Sequence, residues 1–444
     1  MSVLQEYNDK FVTPEEAVKV VKSGDWIEYN MVNGQPIALD RALAARKDEL
    51  FDVKIRISAG FQPIMCARVD PERKHFIYNV WYMSATDRQL QRQNLCNYIP
   101  MTFHEQPRLI EAIPTDVTMT AVGPMDEEGY FYVGPQSFLM PVLVDHAKKV
   151  LVEVNNRMPR AHGQHARIHI SQVDYVVDSG DPPLLNVPTP PATEVDMAIA
   201  GQILEVLHDG CCIQLGIGGL PGIIGKYIAQ AGLRHLGVHT EMLGDPYVEM
   251  YEAGCIDGSC KVTDRGKIVY AFALGTDKLW QFIDDNPICH TAPVSYVNNP
   301  VVAAQNPNLI AINSCLEIDL FSQVSSESLG IQQVSGSGGQ WDFVNAGFMS
   351  KGGMGIVCLP STYEDKDGNR SSRIRPVLSP GTVVTLPRWG VHWVATEFGM
   401  VNLKGLSTWE RAEKLISIAH PDFQDELIKE ADRMHIWLRS SRIG

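Results

Sequence analysis

Two stretches of this chain, far apart, open in the same way. From Thr13 it runs TPEEAVKVVKSGDWIEYNMVNGQP, ending at Pro36. From Glu194 it runs EVDMAIAGQILEVLHDGCCIQLGIGGLP, ending at Pro221. Each reads as an amphipathic helix, a glycine (Gly24, Gly210) and a short strand-like run. A Gly/Pro-rich turn and a second apolar helix follow. The glycine-to-proline spacing is 12 residues in one stretch and 11 in the other. Two copies of a helix–strand–turn–helix opening predict two similar open α/β domains that arose by duplication. Between the copies, SGDPPLLNVPTPPA (179–192) holds five prolines. Proline fixes φ and removes a donor, so this stretch is neither helix nor central strand. The expected domains are residues 1–185 and 186–444.

Further runs fill out the two domains. KVLVEV (149–154) and VVTL (383–386) are β-rich and bounded by polar residues, so strands are expected there. LIAIN (309–313) and GIVCLP (355–360) fit fully buried strands of a parallel sheet. The tail from Ser407 to Leu438 reads as helical, opened by a Ser407–Glu410 capping box.

Composition narrows the function classes. Hydrophobic residues make up 45% and charged residues 20%, which excludes disordered and coiled-coil chains. The charge balance of 38 − 52 = −14 argues against a nucleic-acid binder, which needs a basic face. It leaves room for a small anionic ligand in a locally positive pocket. No apolar run approaches the length of a membrane span, so no membrane partner is expected. Met1 to Lys10 is polar, unlike a signal peptide. Nine scattered cysteines then read as reduced thiols of a cytoplasmic protein. The nearest approach to a metal pattern, Cys255–Cys260 with Cys289–His290, reads as small buried thiols, so no metal is expected.

Three stretches could carry chemistry. GIGGLPG (216–222) follows the apolar run CCIQL; a Gly-rich turn between strand and helix aims backbone N–H groups at an anion or oxyanion. It is not a dinucleotide fingerprint, because Pro221 stands where the last glycine is needed. It is not a P-loop either, because Leu220 and Tyr227 fill required positions. SGSGGQ (335–340) is a second glycine-rich loop, where a ligand can approach the backbone closely. Glu241 in HTEM follows a short strand-like run, where α/β sheets place their ligands. A carboxylate there can attack an activated acyl group and form a mixed anhydride.

Taken in order along the chain, the segments MPRAHG (158–163), QLGIGGLP (214–221), GVHTEM (237–242) and FALGT (272–276) resemble family I CoA-transferases. YVNNP (296–300), INSCLEIDLFSQV (312–324), SGSGGQWDFVNAG (335–347), ATEFGMVNLKG (395–405) and IAHPDFQDEL (418–427) continue the series. The resemblance is to the branch with butyryl-CoA:acetate and 4-hydroxybutyrate CoA-transferases and acetyl-CoA hydrolases. It implies that Glu241 is the catalytic glutamate, which becomes a glutamyl-CoA thioester, and that Gln214 is a polar active-site side chain. It implies that Gly216, Gly218, Gly219 and Leu220 bind CoA and help hold the oxyanion, with Gly338 and Gly339 in a second CoA-contacting loop. Coenzyme A is then a substrate, with no further cofactor; the other partner is a short-chain carboxylate. The family also implies a homodimer or homotetramer. One departure concerns the acyl chain. Many 4-hydroxybutyrate enzymes carry a histidine three residues before the glycine of the first turn, and here Met31 precedes Gly34. A more apolar pocket favours an unsubstituted chain such as butyrate. The expectation is a short-chain acyl-CoA:acetate CoA-transferase. The alternatives are a 4-hydroxybutyrate CoA-transferase or a hydrolase using the same glutamate. A non-enzymatic CoA-binding protein is disfavoured by the intact glutamate and both loops.

Overall fold

Gly24 and Gly210 both take positive φ, 89° and 81°, and each is followed two residues later by the first strand of a sheet. The computed structural model describes residues 2–216 and 218–437. The first sheet holds β1 (Trp26–Tyr29), β2 (Val53–Ile57), β3 (Phe76–Val80), β4 (Asn97–Tyr98), β5 (Val117–Val122), β6 (Lys149–Val154) and β7 (Tyr175–Asp178). Its order is β4-β3-β2-β1-β5-β6-β7, with every pair parallel. The second sheet holds β8 (Cys212–Leu215), β9 (Gly237–Leu243), β10 (Ile268–Ala273), β11 (Cys289–Thr291), β12 (Leu309–Ser314), β13 (Met354–Cys358), β14 (Trp393–Thr396) and β15 (Gly399–Asn402). Its order is β11-β10-β9-β8-β12-β13-β14-β15.

Counted within each sheet, both orders read 4-3-2-1-5-6-7. The second sheet adds only β15, which returns antiparallel on β14. The register repeats too. Four residues after its glycine, Glu28 pairs with Thr118 and Gln214 pairs with Ala311. An order shared over seven strands bears out the expected pair of similar α/β domains.

Residue contacts group the chain into two compact units. One runs up to Pro188 and includes Glu241–Asp245 and Ile268–Val297; the other comprises Thr189–Thr240, Pro246–Lys267 and the chain from Asn298 onward. The proline-rich stretch forms no helix or strand. Near its middle the Leu185 amide donates to Asn33 Oδ1 at 2.7 Å, and the Leu185 carbonyl accepts from Trp280 Nε1 at 3.1 Å.

The helices that position the site are α1 (Ile37–Ala45), α2 (Glu194–Val206), α3 (Gly219–Ala231) and α4 (Gln340–Met349). α2 starts where the prolines end, with Thr193 and Asp196 forming a capping box. Behind α4 the core of the second unit closes around fully buried Ile318, Val344, Val357, Val394 and Leu415.

One expectation fails. VVTL forms no strand. The Val383 amide is taken by Ser328 Oγ, Thr385 and Leu386 both donate to the single carbonyl of Val324, and Val383 and Val384 stay well exposed. One distant hydroxyl and one distant backbone carbonyl have replaced the ladder that its β propensity anticipated. The tail is helical as expected, in two helices, α5 (Thr408–Ser417) and α6 (Pro421–Arg433). Pro421 has no amide to continue α5 and instead opens α6. The capping residues at the start of α5 do pair, the Ser407 amide donating to Glu410 Oε2 at 2.8 Å. Leu438 lies outside the described residues.

Among the described residues no helix is long and apolar enough to cross a membrane. Nor could any group of three or more His, Cys, Asp or Glu side chains there hold a metal ion.

Candidate active site

β8 ends at Leu215, and α3 begins four residues later at Gly219. Gly218 bridges them at φ 125° and ψ −170°, a conformation that a residue with a Cβ rarely adopts. Gly218 brings no side chain of its own to cap α3, and among the described residues no side-chain acceptor holds its first amides. Its first amides therefore stay available, at the positive end of a 13-residue helix. Gly219 is the first residue of α3, with a Cβ position only 3.2 Å from the Pro191 carbonyl. Leu220 follows with its side chain buried, so its amide is the group that can serve a ligand.

The first domain treats the same feature differently. After β1 the chain turns through Asn30 to Pro36 into α1, and the carboxylate of Glu153 on β6 caps that helix. The Ile37 amide donates to Glu153 Oε1 at 2.8 Å and the Leu39 amide to Oε2 at 3.0 Å. Glu153 stands three residues after Val150, which lies two strands across from Glu28 through Thr118. In the second sheet that place belongs to Cys358, three residues after Gly355, two strands across from Gln214 through Ala311. Burial keeps the Cys358 thiol neutral. One copy of the repeat carries its own carboxyl group at the helix N-terminus; the other has no such carboxyl on the matching strand position, where Cys358 stands.

β12 links the two glycine loops. Asn313 Nδ2 donates to Gln214 Oε1 at 3.0 Å, and the Gly216 amide donates to the Ile312 carbonyl at 2.9 Å. Gln340 Nε2 donates to the Ser314 carbonyl at 2.8 Å. Gly338 takes φ 52°, Gly339 is the residue before α4, and Gln340 opens the helix. Gln214, Gly216, Gly218, Gly219, Leu220, Gly338 and Gly339 are thus brought to the C-terminal ends of β8 and β12. Tyr247 supports them from behind, its buried hydroxyl accepting the Leu215 amide at 2.8 Å. A groove of ≈ 340 Å³ runs beside Gly219 and Gly222, with Lys226 as its cation and Glu249 as its carboxylate.

Glu241 is the fifth of seven residues in β9, partly exposed on a strand otherwise buried. β9 neighbours β8 in parallel, with Ile213 opposite Val238, so Glu241 lies three residues beyond that pair. It falls in the segment that groups with the first unit, whereas the two loops belong to the second. Met31 is fully buried in the turn before α1. Sequence reasoning missed Asn313, Tyr247 and Glu153. Asn313 was within reach, as the polar residue that closes the apolar run LIAIN. The roles of Tyr247 and Glu153 depend on strand register.

A family profile for the acetyl-CoA hydrolase/transferase N-terminal domain matches residues 1–187, and that for the C-terminal domain matches residues 275–431. The chain belongs to the acetyl-CoA hydrolase/transferase family. Over 445 residues it is 48% identical to a probable butyrate:acetyl-CoA coenzyme A-transferase of Syntrophomonas wolfei, covering 100% of this chain and 99% of that protein. It is 44% identical over 448 residues to a butyryl-CoA:acetate CoA-transferase of Anaerostipes caccae, covering 100% of both. The crystal structure of RipA from Yersinia pestis superposes with a TM-score of 0.90 at 36% identity, covering 98% of this chain and 100% of that one.

Proposed function

We propose that the protein is a short-chain acyl-CoA:acetate CoA-transferase, with butyryl-CoA or a similar donor, working by a ping-pong route through Glu241. The observation that carries this reading is the helix N-terminus that opens directly after Gly218 at the C-terminal end of β8, a backbone arrangement suited to an oxyanion. The relatives at 48% and 44% identity support the substrate class.

Glu241 attacks the thioester carbonyl of the donor. The carbon–sulfur bond breaks, CoA leaves as the thiolate, and a glutamyl–acyl anhydride remains. The thiolate then attacks the glutamyl carbonyl and expels the donor's carboxylate, leaving glutamyl-CoA. Acetate attacks that thioester, and the two steps run in reverse to give acetyl-CoA and free Glu241. Each addition builds a negative oxygen. Fixed backbone N–H donors such as those opening α3 each stabilise such an oxyanion by about 3–4 kcal/mol. Gln214 is held by Asn313 for the same site. Anhydride and thioester both react with water, so exclusion of water separates transfer from hydrolysis. The same reading carries a cytoplasmic homodimer or homotetramer, which sedimentation of the purified protein tests.

The deciding experiment supplies butyryl-CoA and isotopically labelled acetate and follows the products by mass spectrometry. Labelled acetyl-CoA without excess free CoA is the expected result. Free CoA as the sole product overturns the reading in favour of hydrolysis.

A further inference from the structure

Gln136 is fully buried, yet neither its carboxamide nitrogen nor its oxygen has a hydrogen-bond partner. Its segment runs beside β10. Gln136 bridges Phe272 of β10 in antiparallel fashion, and the Phe138 amide donates to the Ala271 carbonyl at 3.2 Å. β10 in turn neighbours β9, the Leu274 amide donating to the Leu243 carbonyl at 3.0 Å. One strand therefore separates the segment of Gln136 from the strand of Glu241, a lateral spacing of about 10 Å.

The side chain of Gln136 reaches the turn that follows β1. A Cβ on Gly34 would lie 2.7 Å from Gln136 Nε2 and 2.4 Å from Asn30 Nδ2, so a larger residue there would displace these carboxamides. This turn is the counterpart, in the first domain, of the Gly218 loop. Non-glycine residues with positive φ stand close by on both segments, Val32 at 54° and Phe138 at 32°. Such conformations are costly for a β-branched or aromatic residue and gather at ligand sites.

We infer that Gln136 is a specificity-determining residue for the acyl chain, and that it reads a hydroxyl group on a short-chain acyl substrate. A carboxamide offers two N–H donors and a carbonyl acceptor, while a hydroxyl offers one donor and two lone pairs. One ligand hydroxyl therefore satisfies both unpaired atoms of Gln136. An alkyl chain satisfies neither, and a carboxylate satisfies only Nε2. Because both atoms are already unpaired in the free protein, a hydroxyacyl donor gains a pairing that an alkyl donor does not. The inference rests on the proposed acyl transfer and widens its donors beyond the plain alkyl chains that Met31 favours.

The test compares the intact protein with Gln136→Met, which removes both polar atoms at nearly constant volume. Donors are butyryl-CoA, 3-hydroxybutyryl-CoA and 4-hydroxybutyryl-CoA, with acetate as acceptor. The ratio of kcat/KM for the better hydroxybutyryl donor to that for butyryl-CoA is expected to fall at least tenfold in the variant. A change below twofold overturns the inference. If Gln136→Met does not fold, Gln136→Asn, which withdraws the carboxamide by one methylene, is expected to shift the ratio in the same direction; an unchanged ratio again overturns it. A wild-type protein that transfers from none of the three donors overturns the proposed function instead. Calorimetric binding of free hydroxybutyrate then decides the role of Gln136: at least tenfold weaker binding by the variant supports it, and equal affinity overturns it.

Discussion

Asn313 and Gln214 hold each other across the β8–β12 pair, Asn313 Nδ2 donating to Gln214 Oε1 at 3.0 Å with both residues buried. Asn313→Ala leaves the Gln214 carboxamide without that partner in a dry position. A loss of about 1–3 kcal/mol in stability is expected, the usual cost of orphaning a buried polar group. Gln214→Ala combined with Asn313→Ala should cost less than the sum of the singles, because the two share one interaction. Urea unfolding of the four proteins measures this, and strictly additive losses would show that the pair does not act as a unit.

Glu241→Asp shortens the proposed nucleophile by one methylene. Misplacement on the ångström scale costs about 100-fold in rate, so kcat should fall by at least that factor with the melting temperature little changed. Glu241→Gln should abolish turnover, and with it the mass increase of one CoA on the peptide containing residue 241 after incubation with butyryl-CoA. Turnover by Glu241→Asp at the wild-type rate would remove Glu241 from the mechanism.

The sheets were legible for a specific reason. Gly24 and Gly210, the short apolar runs after them and the proline-rich stretch between the copies are local signals, and each acts in the structure as it reads in the sequence. VVTL was misread because Ser328 and the Val324 carbonyl, which claim its amides, come from more than fifty residues earlier. The glycine loops announce themselves by composition. Their differing surroundings do not, since only strand register shows that Glu153 and Cys358 hold the same place. Gln136 left no pattern at all: a glutamine between two apolar stretches reads as surface until the fold buries it.

Glu153 gives the fold a pH signature. Burial raises its carboxyl from the ordinary 4.5 to about 7, against the amides of Leu39, Ile37 and Ala38, which favour the charged form. Between those values the native chain holds a proton that the unfolded chain has lost, so stability falls as pH rises through about 4.5 to 7 and levels off above. Glu28, raised by burial to about 7 against the opposing charge of Arg56, adds a slope over the same window. The informative quantity is therefore the difference between wild type and Glu153→Gln. That difference should shift by about 3 kcal/mol at most against the wild type between pH 4.5 and pH 7.5, measured by urea unfolding. A constant difference would mean that the native Glu153 carboxyl titrates as it does in the unfolded chain.

Gly218→Ala isolates backbone conformation from packing. A Cβ at Gly218 would meet nothing within 4 Å, so no clash follows the substitution. The whole cost comes from φ 125° with ψ −170°, which an alanine holds only under strain of about 1–3 kcal/mol. The chain can accept that strain or rotate the Gly218 peptide away, turning the first amides of α3 off their present direction. The first route lowers the melting temperature and spares kcat; the second spares stability and lowers kcat. Because these amides are the proposed oxyanion donors, the second is expected, with kcat for acyl transfer falling about 100-fold for each donor misdirected. Melting curves and steady-state kinetics on the same preparation separate the two. A destabilised enzyme with unchanged kcat would mean that the peptide keeps its direction under strain, whereas unchanged kcat with unchanged stability would mean that the α3 amides do not hold the oxyanion.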